Sequence, residues 1–218
     1  MMHVLRTKPE RRIWVFFSNL LGSTDNAVIN NGILGRGEIT DISISSMTLR
    51  INNNLVERKC TFSMIVMIDG VAPFQANVVQ RIPEIALAKI TKGVVVPVRV
   101  DPDDHRKVFI DFKFEVPTVT MPRSTGENSA AYILEHGKPI KVVFVGSQPM
   151  KLKNADGIEM FLLTLTVYEG VDTPYQVQVG NPVPASALPL LFPGSKLHSR
   201  LGNGPNNIVV DWAAGPAT

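Results

Sequence analysis

Alternation with a period of two runs through most of the chain. Cys60, Phe62, Met64 and Val66 alternate with Thr61, Ser63 and Ile65, the pattern of a strand with one buried face. Asp69-Gly70 supplies turn chemistry and Phe74, Ala76 and Val78 resume the alternation, which predicts a hairpin. Pro83 opens a segment suited to a short helix, with proline in its first turn and Gly93 beyond its end. Val94, Val96, Val98 and Val100 alternate again, as do Val108, Ile110 and Phe112. Upstream, residues 38–51 read as one long, bent strand and Asn52-Asn53-Asn54 as the turn after it. The predicted order is strand, strand, strand, short helix, strand, strand.

The pattern then returns. Pro73-Phe74-Gln75-Ala76-Asn77-Val78 matches Pro174-Tyr175-Gln176-Val177-Gln178-Val179, an offset of 174 − 73 = 101. The same offset pairs Ser23-Thr24 with Ser124-Thr125, Ile39 with Ile140, Ser46 with Ser147, Asn53 with Asn154 and Val66 with Val167. It also pairs Pro83 with Pro184, Leu87 with Leu188, Gly93 with Gly194 and Arg99 with Arg200, and Asp111 pairs with Asp211 after the loss of one residue. Self-similarity at one sustained offset marks a duplicated unit. In the second copy Phe161, Leu163, Leu165 and Val167 keep the apolar strand positions, while Pro182, Pro184, Pro189 and Pro193 limit the helix to one turn at most.

The expected organisation is an N-terminal segment 1–22, a first β-barrel repeat 23–114, a proline-bearing linker 115–123, a second β-barrel repeat 124–213 and a tail 214–218. The fold class is all-β: two tandem five-stranded OB-like barrels, each with a short helix or turn between strands 3 and 4. Such a barrel closes its sheet and removes exposed edges. A small sandwich of the same strands is the alternative.

With 44% apolar and 19% charged residues the chain has the make-up of a folded protein, and its net charge of +3 is not drawn from basic runs. A single cysteine, Cys60, excludes an internal disulfide and fits a reducing compartment, so the expected location is cytoplasmic. No apolar stretch approaches the ~18 residues of a membrane span. Arg6, Lys8, Arg11 and Arg12 precede the run Ile13-Trp14-Val15-Phe16-Phe17, but Ser18, Asn19 and Gly22 interrupt it and no small-x-small cleavage site follows. From Glu10 an amphipathic helix would set Ile13, Phe16, Phe17 and Leu20 on one stripe. With Trp14, these are the expected partner-binding residues, covered by the protein's own barrel, by a partner, by a second subunit or by the inner face of the membrane.

Asp101, Asp103, Asp104 and His105 resemble a metal or acid–base loop, but their counterpart, Leu201-Gly202-Asn203-Gly204-Pro205-Asn206-Asn207, has no carboxylate and no histidine. Both stretches share turn chemistry, so a hairpin loop is expected. Arg99 with Asp111, and Arg200 with Asp211, fall on the outward parity of neighbouring strands as candidate surface ion pairs. The frames G-x-S-x-G, H-E-x-x-H and the P-loop are absent. Gly32-Ile33-Leu34-Gly35-Arg36-Gly37 precedes a strand and reads as a tight entry into the barrel. None of His3, His105, His136 and His198 recurs at its repeat position, and Cys60 lies on an apolar strand face. No catalytic set, metal or cofactor is expected.

The outward residues of strands 2 and 3 are Thr61, Ser63, Ile65, Gln75 and Asn77 in one copy and Leu162, Thr164, Thr166, Gln176 and Gln178 in the other. Such faces suit protein contact or self-association better than phosphate. The expectation is a non-catalytic interaction or assembly module. The alternative is single-stranded nucleic-acid binding through Arg81, Lys92, Lys151, Lys153 and Tyr168. An enzyme with a site assembled across both barrels is the third class; a small-molecule substrate is disfavoured.

Two stretches carry a family resemblance. Leu20-Leu21-Gly22 through Asn31-Gly32-Ile33-Leu34-Gly35-Arg36-Gly37-Glu38-Ile39 resembles the entry segment of a group of bacterial tandem β-domain proteins with no assigned activity. Val96-Pro97-Val98-Arg99-Val100-Asp101-Pro102-Asp103-Asp104, followed by Val108-Phe109-Ile110-Asp111-Phe112, resembles the group's closing hairpin. The second copy keeps only Arg200, Asp211 and the strand pattern of that motif. The resemblance implies the OB-like fold and no particular function.

Overall fold

A computed structural model describes residue 28, residues 30–51 and residues 55–217. The chain is mostly β, and it divides into two compact units, one within Met1–Ile68 and Pro73–Pro117, the other within Asp69–Ala72 and Thr118–Thr218. In the first unit β1 (Ile33–Ile51), β2 (Leu55–Met67), β3 (Phe74–Pro83), α1 (Glu84–Leu87), β4 (Val95–Val100) and β5 (Val108–Ile110) follow in chain order. The sheet order is β3-β2-β1-β4-β5.

One inward face of this sheet makes the core. Ile39, Cys60, Phe62, Met64, Val66 and Val98 are all buried. The intervening residues of β2 lie outward, as the alternation requires. The sheet is nearly closed on itself, and the seam between its two end strands is bridged by a side chain. Gln80 of β3 donates Nε2 to the carbonyl of Ile110 in β5 (2.9 Å) and accepts from the amide of the same residue (3.0 Å).

The second unit contains β6 (Val119–Thr120), α2 (Ala130–His136), β7 (Lys138–Lys153), β8 (Glu159–Glu169), β9 (Tyr175–Pro182), β10 (Lys196–Leu201) and β11 (Ile208–Val210). Its sheet runs β11-β10-β7-β8-β9, with β6 paired in parallel to β7. Ile140, Phe144, Leu163, Leu165 and Leu197 lead its core. Asn181, at the 101-residue offset from Gln80 (181 − 80), bridges the matching end strands, donating to the Ile208 carbonyl (3.1 Å) and accepting from the Val210 amide (3.0 Å).

Several expectations need correction. The first strand begins at Ile33, and the glycine-rich stretch is part of it, pairing Ile33 with Val100 and Gly37 with Val96. The glycines make room inside the sheet. A Cβ on Gly35 would lie 2.5 Å from Ile68 Cγ2, and one on Gly37 would lie 2.7 Å from Met64 Sδ.

The repeat offset is 105 for the first strand, 101 for the second to fourth and 100 for the fifth, where Ile110 faces Val98 as Val210 faces Ser199. Ile39 bonds Val94 and Gly93 as Phe144 bonds Ser195 and Gly194, and 144 − 39 = 105. The pairings of Ile39 with Ile140 and of Ser46 with Ser147 are therefore not structural equivalents. At the true register the first strand's bulge recurs, with a shift between Ile39 and Asp41 in one copy and between Phe144 and Gly146 in the other.

A helix precedes the first strand of the second unit, which the strand pattern did not announce. In α2 the Ser129 hydroxyl caps the N-terminus by accepting from the Tyr132 amide (3.2 Å). Residues 28, 30 and 31 are helical at the matching place in the first unit. The proline-broken segment of the second copy forms a six-residue 3-10 helix, Ala185–Leu190, longer than the single turn expected, and Pro189 lies inside it. The segment taken as linker contains β6, whose Val119 is buried. The stretch 1–22 with its predicted helix, and the turn Asn52-Asn53-Asn54, lie outside the described residues.

Candidate interaction surface

The loop between β4 and β5 is a hairpin turn built by its own carboxylates. Asp101 Oδ1 accepts from the amides of Asp103 (2.9 Å) and Asp104 (3.3 Å), an Asx arrangement that satisfies backbone donors locally. Asp104 is engaged by Arg106 (2.8 Å), whose hydrogen bonds hold its carboxyl down at about 2. His105 stacks on Phe74, with ring centroids 5.2 Å apart. Asp101, Asp104 and His105 thus each have a structural partner within or beside the loop. Among the described residues no cluster of His, Cys, Asp and Glu has the arrangement of a metal site.

The two candidate ion pairs part company. Arg99 does bond Asp111 (3.2 Å), but the pair is not on the surface, since the Asp111 side chain is 4% exposed. Arg99 also donates to the Gly32 carbonyl (3.0 Å) and lies over the Phe114 ring (4.5 Å). Arg200 donates to the Gly137 carbonyl (3.3 Å), whereas Asp211 caps the following 3-10 turn by accepting from the Ala214 amide (3.2 Å). Cys60 is buried, and burial pushes its thiol up, away from thiolate character.

The outer face of the second and third strands carries one hydroxyl–amide rung at the same place in both units. Ser63 donates to Asn77 Oδ1 (3.0 Å) across β2 and β3, and Gln178 donates to Thr164 Oγ1 (3.3 Å) across β8 and β9. These rungs are repeat equivalents, 164 − 63 and 178 − 77 both being 101. Val79 stands exposed on the same face of the first unit. Past its pairing with β4, which ends at Glu38, β1 continues as an arm on β2, which stays paired with β3 as far as Glu57, so only the last rungs of the arm are two-stranded. Ile44 and Met47 are exposed on that arm.

Of the residues named for nucleic-acid binding, Arg81, Lys92 and Lys151 are exposed and Lys153 is half-buried. They sit on β3, on the segment after α1 and on the far end of β7. Tyr168 is half-buried with its hydroxyl inside the protein, so its ring is not offered freely for stacking. The residues Ile13, Trp14, Phe16, Phe17 and Leu20 lie outside the described ones.

One charged surface escaped the reading by sequence. Alternation puts Lys196, His198 and Arg200 on the outer side of β10, because Leu197 and Ser199 are buried. On the adjacent β7, Lys141 lies directly opposite His198, whereas Lys138, opposite Leu201, has the inward parity of Ile140 and Val142 and is not part of this face. Glu169 of β8 reaches Lys141 at 3.1 Å. Lys141 is 55 or more residues from the basic side chains of β10 (196 − 141), so only the β7–β10 pairing brings them together. No protein-family model matches this chain, and no curated protein matches it either.

Proposed function

We propose that this protein is a non-catalytic interaction and assembly module made of two tandem OB-like barrels. The carrying observation is the repeated outer face of the second and third strands. Its neutral hydroxyl and amide rungs, with exposed Val79, are the composition of a protein-contact surface and not of a phosphate channel. The OB-like assignment draws support from the order β3-β2-β1-β4-β5 with a helix between the third and fourth strands. The resemblance to bacterial tandem β-domain proteins points the same way.

In this reading the stripe of Ile13, Trp14, Phe16, Phe17 and Leu20 completes the contact by covering itself on a second copy of the chain. The protein works in the cytoplasm. Light scattering after gel filtration tests this: the full chain is expected at the mass of a dimer or above, and Phe16→Asp/Phe17→Asp at the mass of one chain. A full chain that stays monomeric at all concentrations overturns assembly.

A further inference from the structure

The duplication supplies an internal control for every surface. Positions that the barrel itself requires should be alike in both units; positions that differ in kind on the same structural element answer to something outside the barrel. Two such differences lie side by side on the second unit.

The first is charge. On this face Lys196 and His198 of the second unit take the places of Val95 and Pro97 in the first, as the pairings of Lys138 with Leu201 and of Ile33 with Val100 establish. At the same register Glu38 of the first unit is replaced by Val143. The first barrel forms the same two strands without these cations, so the fold does not call for them. Placing Lys141 directly across from His198 is also unfavourable for the sheet when both are charged; Glu169 offsets only one member of the row.

The second is apolar exposure. The 3-10 helix and the turn after it read Ala-Ser-Ala-Leu-Pro-Leu-Leu-Phe-Pro, where the first unit has Glu-Ile-Ala-Leu-Ala-Lys-Ile-Thr-Lys. Leu190, Phe192 and Pro193 thereby replace Lys89, Thr91 and Lys92. Phe192 is 72% exposed and Leu188 48%. The first unit's segment exposes Ile85 but places its lysines where the second has these apolar side chains. The Ser195 amide closes the turn on the Phe192 carbonyl (2.9 Å), so Phe192 stands at the start of β10, four residues before Lys196. Val145, on the β7 bulge, is also exposed, and its neighbour Phe144 bonds the same turn through Gly194 and Ser195.

A solvent-exposed phenylalanine and leucine leading into a row of cations, spaced roughly 6.6 Å apart along one strand face, combine two attractions. Apolar side chains gain by entering the acyl boundary, and cations gain from anionic headgroups beside it. A nucleic-acid strand would use the cations but would leave Leu188 and Val145 unexplained. We infer that the 3-10 turn and the β7–β10 face of the second unit together bind the surface of an anionic lipid bilayer. This names a partner class for the interaction module proposed above and rests on that reading.

The test is flotation of the full chain with vesicles of phosphatidylcholine alone or mixed with phosphatidylglycerol, with a labelled single-stranded oligonucleotide titrated in parallel. Binding is expected only to the anionic vesicles and should weaken as salt rises. Phe192→Thr and Lys196→Val install residues that the first unit already carries at these places, so the fold tolerates them. Phe192→Thr should weaken binding by about ten-fold or more, and Lys196→Val by about five-fold. Lys89→Ala and Lys92→Ala, which remove equal charge from the first unit, should leave binding unchanged.

No binding to anionic vesicles, or binding indifferent to both second-unit substitutions, overturns the inference. Tight oligonucleotide binding lost in the same two variants would overturn it too, assigning the face to nucleic acid. The mass in solution, measured on the same samples, separates this failure from that of assembly. An oligomer that ignores vesicles sinks the lipid surface alone, and a monomer that binds them sinks assembly alone.

Discussion

At the scale of single residues, the most consequential side chains are two amides. Gln80 and Asn181 each occupy one N–H and one C=O of the strand across the seam, the groups a neighbouring strand would otherwise pair. Removing the amide strands both groups, and each buried unsatisfied polar group costs about 1–3 kcal/mol. Asn181 is 1% exposed whereas Gln80 is only half-buried, so water can replace part of what Gln80 supplies. Asn181→Leu is expected to cost about 2–4 kcal/mol and Gln80→Leu about 1–2 kcal/mol, read from urea unfolding. Equal losses, or none, would show that the seam is held by packing.

At the scale of elements, the two barrels pack the contact between their first and second strands differently. In the first unit β1 contributes Gly37 and β2 contributes Met64; at the corresponding places the second unit has Val142 on β7 and Leu165 on β8. The unbranched Met64 reaches over Gly37, so that its Sδ occupies the space a Cβ would need there. Gly37→Ala should therefore cost about 1–3 kcal/mol by driving a Cβ into Met64 Sδ. Met64→Leu in the same chain should restore at least half of that loss. A double-mutant cycle on thermal unfolding measures the coupling, and strict additivity would disprove this contact. Gly35→Ala has no such rescue, because its Cβ would meet the Met67 carbonyl at 2.7 Å.

Legibility varied with how each element is exposed. The second to fifth strands were readable because each has one buried face, so Cys60, Phe62, Met64 and Val66 print a clean alternation. The outer half of β1 has no buried face beyond Ile39; its exposed Asp41, Ser43 and Ile44 carry no period, and the four-residue drift of the repeat passed unseen there. The Ser129 cap and the Gly137 stop of α2 are ordinary helix signals. The helix is only seven residues long and buries only Ile133, too short a run for a 3.6-residue period to stand out. The cationic face was illegible for a different reason. Lys141 and His198 become neighbours only through the pairing of β7 with β10, a fact of topology that no local pattern encodes.

At the scale of the whole molecule, the division into units falls at Pro117, and Val119 lies on the far side of it. Val119 pairs with Leu152 and is 1% exposed, so it belongs to the core of the second unit. Val119→Ala should cost about 2 kcal/mol. Hydrogen exchange should show the loss at the amides of Leu163 and Leu165 and leave those of Phe62 and Met64 unchanged. Equal loss in both sets would mean that the units unfold as one cooperative body.

The arm formed by β1 and β2 differs between the copies. From Ile39 and Met64 it runs out to Ile51 and Leu55; from Phe144 and Leu165 it runs only to Lys153 and Glu159. The second strand of the arm spans ten residues in one copy (55 to 64) and seven in the other (159 to 165), so the first arm reaches about 10 Å further. Its last rungs in the first unit, Arg50–Val56 and Ile51–Leu55, lie past the pairing of β2 with β3 as well as that of β1 with β4, so residues can be added or lost there without breaking a rung of the barrel. The duplicated gene product therefore carries one structural part whose length is free to drift. A descendant of this chain could acquire a longer or shorter probe in a few insertion events while inheriting its two folded bodies unaltered.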